Sequence, residues 1–319
     1  MNEDFHSPLA RELGQFVAHR RAMGYSYHRV VATLQSFDRY VLAHGGSKRA
    51  LPLAELLRGW LSRRSGRKPV SVAVDLGALR QFFRYRRRFD SDGFVPGREW
   101  APQSPHSDFV PHVFSADQIR ALLDEAGRLR CDLRARPVIR LLILILYCTG
   151  LRFGEAVRLE IQDVDLHGRV FHVRESKGKT RWVPFRVDLA RELQRYRRQR
   201  DGVASTAPHA PFLIRPDGQA FTVKGASSIV RGMLRRLGFK PLRGRVGPRP
   251  YDLRHTFAVH RLTSWHRARV DVHARFPLLS AYLGHDDIMG TEVYLHATPE
   301  LMELASRRLH TRLHTAEMP

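Results

Sequence analysis

Tyr294 stands nine residues after His285, in the stretch Leu283-Gly284-His285-Asp286-Asp287-Ile288-Met289-Gly290-Thr291-Glu292-Val293-Tyr294. Two arginine-centred motifs lie upstream, Thr149-Gly150-Leu151-Arg152-Phe153-Gly154-Glu155 and Leu253-Arg254-His255-Thr256-Phe257-Ala258. A phenol is a weak nucleophile at neutral pH and needs oriented neighbours before it reacts. Attack on a phosphodiester would place extra negative charge on the non-bridging oxygens. Two guanidiniums suit that charge, because each offers a planar fork of donors and never deprotonates. Preorganised cations of this kind lower a reaction barrier substantially. The departing alkoxide needs a proton, which a lysine with a modestly lowered pKa can deliver. Two lysines, Lys177 and Lys179, stand in the candidate hairpin tip Ser176-Lys177-Gly178-Lys179-Thr180. The scheme calls for no metal or nucleotide, and none of the 17 histidines forms a cluster of recognised ligand spacing, so no cofactor and no metal is expected.

Composition points to the same class of target. The chain has 319 residues, enough for two ordinary domains, with 54 Lys and Arg against 31 Asp and Glu. The resulting net charge of +23 divides into +9 over residues 1–105 and +14 over residues 106–319. Both halves therefore attract a polyanion, as expected if they grip nucleic acid from two sides. A generally basic proteome or a ribosome-associated protein would also give such a charge. Two cysteines, Cys131 and Cys148, are too few for a disulfide framework and fit a reducing cytosol. The start of the chain lacks the basic and apolar regions of a signal peptide. The apolar run Leu141 to Tyr147 is too short to span a bilayer and reads as a buried helix, so membrane function is not expected.

Apolar spacing predicts the elements that must hold these residues. Steps of three and four, as in Leu13, Phe16 and Val17 or Val31, Leu34, Phe37 and Val41, predict helices over Leu9 to Met23, Tyr27 to His44, Leu53 to Arg64 and Val70 to Phe89. Arg84 and the run Arg86-Arg87-Arg88 on the last of these could contact phosphates, or simply form a solvated face. Between Asp90 and His112 periodicity fails among prolines, glycines and serines, so a linker is assigned to residues 96–112, after a helical domain over 1–95. Residues 113–319 form the second domain. There Ser115 and Gln118 make a capping box opening a helix to about Ala126, and a long helix runs from about Ala135 to Cys148. His167-Gly168 is a turn, Val170 to Val173 a strand and Trp182 to Phe185 its return. Helices follow over Leu189 to Arg200, Ala226 to Leu237, Leu253 to Trp265, Phe276 to Leu283 and Glu300 to Leu313. The fold class is mainly α, with one small antiparallel sheet.

The ordered set of motifs from Thr149 through Lys177, Leu253 to Ala258, Leu283-Gly284-His285 and Tyr294 resembles the tyrosine recombinase (phage integrase) family, over about Val113 to Leu309. The helical N-terminal region is similar to that family's core-binding domain. The resemblance implies a site-specific DNA recombinase of integrase or transposase type. Tyr294 would attack the scissile phosphate and become a 3′-phosphotyrosine, Arg152 and Arg254 would clamp the phosphate, and Lys177 would protonate the departing 5′-hydroxyl. His285 would bond the phosphate or assist proton transfer. It further implies double-stranded DNA carrying a specific site as partner, a tetramer in the synapse, sister recombinases in some members, and a place in the cytoplasm at the nucleoid. Lys179 and Arg181, flanking Lys177, join Arg84, Arg86 and Arg87 as expected DNA contacts. The segment Ala297 to Met302 is similar to transposon-borne members.

One position departs from the family pattern. Histidine usually stands three residues before the second arginine, and here that residue is Tyr251. Residues three apart share a helix face, so Tyr251 is expected to point with Arg254 toward the phosphate. A phenol of pKa about 10 donates a hydrogen bond but is a poor base at pH 7, which leaves the acceptor of the Tyr294 proton open. His255 lies roughly 100° further round the helix and is expected to pack. Each assignment has a structural alternative: Arg152 as a helix-start arginine paired with Glu155, Lys177 and Lys179 as turn solubilisers with Lys179 the fallback, His285 as a helix-end residue, Tyr294 as a core aromatic. A type IB-like topoisomerase and a DNA-binding protein that has lost catalysis are the competing functions. The C-terminal stretch Pro299 to His314 reads as an amphipathic helix that docks either on a neighbouring protomer or on its own domain.

Overall fold

The computed structural model describes residues 5–25, 27–45, 52–63, 66–102, 111–129, 135–176, 179–244, 246–285, 287, 289–292, 294–295, 300 and 302–307. The chain divides into two compact units, Met1–Asp108 and Phe109–Pro319.

In the first unit, α1 (Ala10–Ala22), α2 (His28–His44), α3 (Leu53–Ser62) and α4 (Pro69–Arg86) bury the apolar stripes that the spacing predicts. Phe37 meets Trp60 and Phe83 edge-on at 5.7 and 6.2 Å, and Phe16 meets Phe82 at 5.8 Å. Such edge-to-face pairs align the positive ring edge with the negative face of the neighbour. The carboxylate of Asp38, buried on α2, accepts hydrogen bonds from the main-chain N–H groups of His6 and Ser7 at 2.8 and 3.0 Å, tying the lead-in of α1 to α2.

The expected linker starts too early. Phe94, Val95, Trp100 and Ala101 pack on the core of the first unit, with the rings of Phe94 and Trp100 5.3 Å apart and the Arg58 guanidinium 4.7 Å above Trp100. Prolines deny this segment regular hydrogen bonding but do not keep a tryptophan in water. At the other end, the His112 ring lies 4.6 Å from Phe114, a fully buried member of the second unit's core.

The second unit contains α5 (Ala116–Gly127), α6 (Ala135–Thr149), α7 (Phe153–Val157), β1 (Val164–Asp165), β2 (Val170–Ser176), β3 (Lys179–Pro184), α8 (Val187–Asp201), α9 (Val223–Arg236), α10 (Asp252–Arg267), α11 (Val272–Leu283) and α12 (Met289–Glu292). The capping box of α5 forms, with Ser115 Oγ accepting from the Gln118 N–H and Gln118 Oε1 accepting from the Ser115 N–H. The almost wholly apolar α6 runs through the centre and packs on α5, α8 and α10. The three strands pair antiparallel in the order β1-β2-β3, with Phe171 opposite Val183 and Val173 opposite Arg181. Phe171, Val173 and Val183 face the core, while His172 and Trp182 stack 4.1 Å apart on the outer face. The C-terminal helix expected over Glu300 to Leu313 is described over residues 302–307, where Met302 and Ala305 are exposed; its remainder lies outside the described residues. Among the described residues no helix is long and apolar enough to cross a membrane.

Candidate active site

The start of α10 is fixed by its own residues. Buried Asp252 accepts from the Arg249 main-chain N–H at 2.8 Å and from its guanidinium at 3.0 Å. Thr256, one turn on, accepts from the Phe114 N–H at 3.0 Å and donates to the Asp252 carbonyl. With α10 so held, Arg254 points into the unit and is completely buried. Its Nη1 donates to the Gly150 carbonyl, and its Nη2 to the Leu283 carbonyl, both at 2.8 Å. Nη2 also lies 2.9 Å from Nε2 of His285. Burial works against the Arg254 charge, and the nearby phenols of Tyr251 and Tyr294 work in its favour.

Both carbonyls that Arg254 holds belong to turns that need glycine. Gly150 has φ +62°, and a Cβ there would come within 2.4 Å of a Phe257 ring carbon. Gly284 caps α11 at φ +69°, and a Cβ there would meet the Arg181 guanidinium at 2.9 Å. The left-handed backbone and the close approach both exclude a side chain.

Arg152 enters from the start of α7. Its Nη1 bonds Glu155 Oε1 at 2.8 Å, and its Nη2 donates to the Gly284 carbonyl at 2.5 Å. The pairing with Glu155 is the one that a helix-start arginine would make, and the same side chain also reaches the turn before His285. Glu155 accepts in addition from the Arg152 N–H at 2.8 Å and from both Nη atoms of Arg181 at 3.1 and 2.8 Å. One buried carboxylate thus aligns two guanidiniums, a strong charge-assisted arrangement.

Arg181, expected as a DNA contact, lies beside the two arginines. It sits opposite Val173 on the inner face of the sheet, and its Nε donates to the Tyr282 carbonyl at 3.0 Å. With its side chain 11 % exposed, it braces Glu155 and the end of α11. The alternation of the strand, inward at 181 and 183 and outward at 182, decides this.

His285 and Tyr294 complete the cluster. Arg254 can only donate, so its contact makes Nε2 of His285 the acceptor and leaves the proton on Nδ1, which donates to Oγ1 of the buried Thr291 at 2.6 Å. Tyr294 is 1 % exposed, with its ring 6.1 Å from that of His285 and 5.3 Å from that of His255. Burial raises its pKa, while the charge and a hydrogen bond of Arg254, and the charge of Arg152, oppose the rise. Tyr294 is therefore at once a core aromatic, packed with Phe257, Leu262 and Leu283, and a neighbour of both arginines.

Tyr251 is the residue immediately before α10, 38 % exposed, and its ring meets His255 at 5.0 Å. His255 is the residue that spacing alone misjudges. It packs as expected, but between the two tyrosines. Desolvation, reinforced by Arg249 and Arg254 and opposed by Asp252, pulls its pKa down to about 4. Nothing in the linear order marks it or Thr291, since each contact depends on how the C-terminal turn folds back onto α10.

Lys177 lies outside the described residues, between the ends of β2 and β3, and Lys179 opens β3 opposite Ser176. In the first unit, Arg84 and Arg87 join Arg80 and Arg88 around a depression of about 460 Å3. Arg86 does not: one helical step away, it faces Glu12 in an ion pair of 2.7 Å. Among the described residues no group of His, Cys, Asp or Glu is arranged to hold a metal.

The two guanidiniums, the histidine and the buried phenol of the second unit converge in one place, in the order of a known family, and the match to it is extensive. The phage integrase family matches residues 112–300. The protein y4rB of Sinorhizobium fredii, described as a candidate integrase/recombinase, is 30 % identical over 96 % of this chain and 98 % of its own length. The chain belongs to the phage integrase family. It is a tyrosine recombinase, an enzyme that cuts and rejoins DNA. Tyrosine recombinase XerC of Pelobacter propionicus is 26 % identical over 97 % of this chain and 98 % of its own length. Tyrosine recombinase XerA of Thermococcus kodakarensis is 29 % identical over 77 % of each. The fold is shared with the Tn1549 transposon integrase, solved in complex with transposon right-end DNA, at a TM-score of 0.65 and 19 % identity over 94 % of this chain and 99 % of that one.

Proposed function

We propose that this recombinase cuts duplex DNA at a specific site by attack of Tyr294 Oη on a phosphate clamped by Arg152 and Arg254. The phosphorus–Oη bond forms as the phosphorus–O5′ bond breaks, leaving a 3′-phosphotyrosine and a 5′-hydroxyl protonated by Lys177. Attack by the 5′-hydroxyl of another strand reverses the chemistry and completes an exchange with no external energy source. His285 donates from Nε2 to a phosphate oxygen once the anion takes its place on Arg254 and Nε2 gains a proton, with Nδ1 still held by Thr291, and Tyr251 donates from the mouth of the site. The observation that carries this reading is the burial of the Tyr294 phenol beside Arg254, with the Arg152 guanidinium tied to the same turn.

The charge of +23 and the four arginines around one depression of the first unit support a grip on the DNA backbone beyond the site itself, with Arg84 and Arg87 among the contacts. Strand exchange needs more than one active site, so the working form is an assembly of copies, four in the synapse, with or without sister recombinases, on the nucleoid in the cytoplasm. The Tn1549 neighbour favours a mobile element as the setting.

The test begins with Tyr294→Phe protein, used to select bound duplexes from a random pool. A duplex so selected, nicked beside the cleavage position to trap the product, should give a covalent protein–DNA adduct with the wild-type chain and none with Tyr294→Phe. Absence of the adduct leaves a DNA-binding protein that has lost catalysis, and its persistence in the variant assigns the attack to a residue other than Tyr294.

A further inference from the structure

Among the described residues, the groups beside Tyr294 that could accept its proton can be followed through the site. Tyr251 occupies the place where a histidine would serve, and a neutral phenol is a poor base at pH 7. His285 faces Tyr294 but spends its acceptor nitrogen on Arg254 and its proton on Thr291. Glu155 is bound on both oxygens by Arg152 and Arg181. His255 remains. Its ring is in direct contact with Tyr294 at 5.3 Å, and its Nδ1 is buried with no hydrogen-bond partner.

A buried polar atom left without a partner carries a cost, and such atoms in a folded protein call for an explanation. Nε2 of His255 lies 3.9 Å from Asp252 Oδ1, too far for a hydrogen bond but close enough for the carboxylate to favour the proton on that nitrogen. The bare lone pair then belongs to Nδ1.

We infer that His255 is the general base of this recombinase, taking the Tyr294 proton on Nδ1 in place of the histidine that Tyr251 replaces. This rests on the proposed attack by Tyr294. As Oη bonds phosphorus, its proton passes to Nδ1 and an imidazolium forms. The phosphorus–O5′ pair leaves on the 5′-oxygen, which takes its proton from a separate acid, so charge and protons balance. In the reverse step the imidazolium returns its proton to the phenolate oxygen. Transfer needs Oη and Nδ1 within about 3 Å or joined by one water, and the neighbouring rings, with centroids 5.3 Å apart, place the two side chains side by side.

The groups facing His255 also explain how DNA would switch the base on. Desolvation, Arg249 and Arg254 hold the ring neutral, Asp252 opposes them, and Tyr251 and Tyr294 flank it. A phosphate anion docked on Arg254 cancels part of the cationic field and makes the imidazolium easier to form.

The experiment measures single-turnover cleavage of the selected nicked duplex by wild type, His255→Gln and His255→Phe, each first shown by gel shift to bind DNA as wild type does. Both variants should cleave on the order of 100-fold more slowly at pH 7. Their rates should then climb about tenfold per pH unit above pH 7, as hydroxide takes over the deprotonation, while wild type stays level. A duplex with sulfur in place of the bridging 5′-oxygen separates base from acid, because a thiolate leaves without a proton; the His255 variants should remain slow on it. Wild-type cleavage with undiminished His255→Gln cleavage overturns the inference and leaves the Tyr294 reading standing. A variant slowed equally at every pH, or rescued by the sulfur substrate, overturns it too.

Discussion

Replacing Glu155 with glutamine should show how much of the site rests on one charge. The carboxylate accepts four hydrogen bonds, from the Arg152 N–H and Nη1 and from Nη1 and Nη2 of Arg181, all between 2.8 and 3.1 Å. Its side chain is 2 % exposed, and those of Arg152 and Arg181 are 16 % and 11 % exposed, so water offers little substitute. Glutamine keeps the shape but turns one oxygen into a donor facing donors, and removes the counter-charge of two guanidiniums. Breaking a buried pair from one side costs about 3–5 kcal/mol. For a unit of this size, about 3 kcal/mol corresponds to a Tm lowered by roughly 6–12 °C. Thermal melting of the full chain reads it, with the transition of the second unit followed by circular dichroism. Adding Arg181→Met to Glu155→Gln removes one of the stranded cations, so the double variant should melt above the Glu155→Gln single variant. A Glu155→Gln protein that melts within a degree of wild type, or a double variant whose losses simply add, would refute the account of Glu155 as the brace between the arginines.

Gly150→Ala forces a Cβ to within 2.4 Å of Phe257 at a left-handed position, and should cost about 2–4 kcal/mol in a urea titration. The His255 pKa, lowered from 6.5 to about 4, means that the unfolded chain binds a proton the folded chain refuses between those values. Stability should therefore fall as pH drops from 6.5 toward 4, and His255→Phe should flatten that part of the melting-versus-pH curve. Arg84→Ala and Arg87→Ala should each reduce the salt dependence of DNA affinity by about one counterion, whereas Arg86→Ala, paired with Glu12, should leave the slope unchanged. A slope that falls equally for all three would place Arg86 on the DNA after all.

The helices of both units were legible because their apolar residues recur with the helical period over many turns, as in Val31 to Val41, and because Ser115 and Gln118 spell out a cap. Elements of two to five residues, β1, α7 and α12, offer no period to read. The linker was misplaced for a different reason: Pro96 and Pro102 bracket Trp100, and composition records the breakers but not the ring's need for burial. Around the site, the reactive types and their order were plain, while the direction of each side chain was not. Arg181 and Arg86 carry the same charge as their neighbours and differ only in which face of the strand or helix they occupy. His255 was set aside by its angle on α10, and what brings it to Tyr294 is the return of a segment some forty residues later in the chain.

Beside Glu155 and His285, the acceptors that position Arg152 and Arg254 include main-chain carbonyls, those of Gly150, Leu283 and Gly284. A carbonyl is supplied by any residue, so mutational drift cannot delete these contacts by changing a side chain at 283; it can reach them only by bending the turn. Selection on this part of the site therefore acts on backbone shape, concentrated in the two glycines. Transplanting the arginines and the tyrosine into another helical scaffold would fail for the same reason: without both turns, the two cations would lose the carbonyls that Gly150, Leu283 and Gly284 supply.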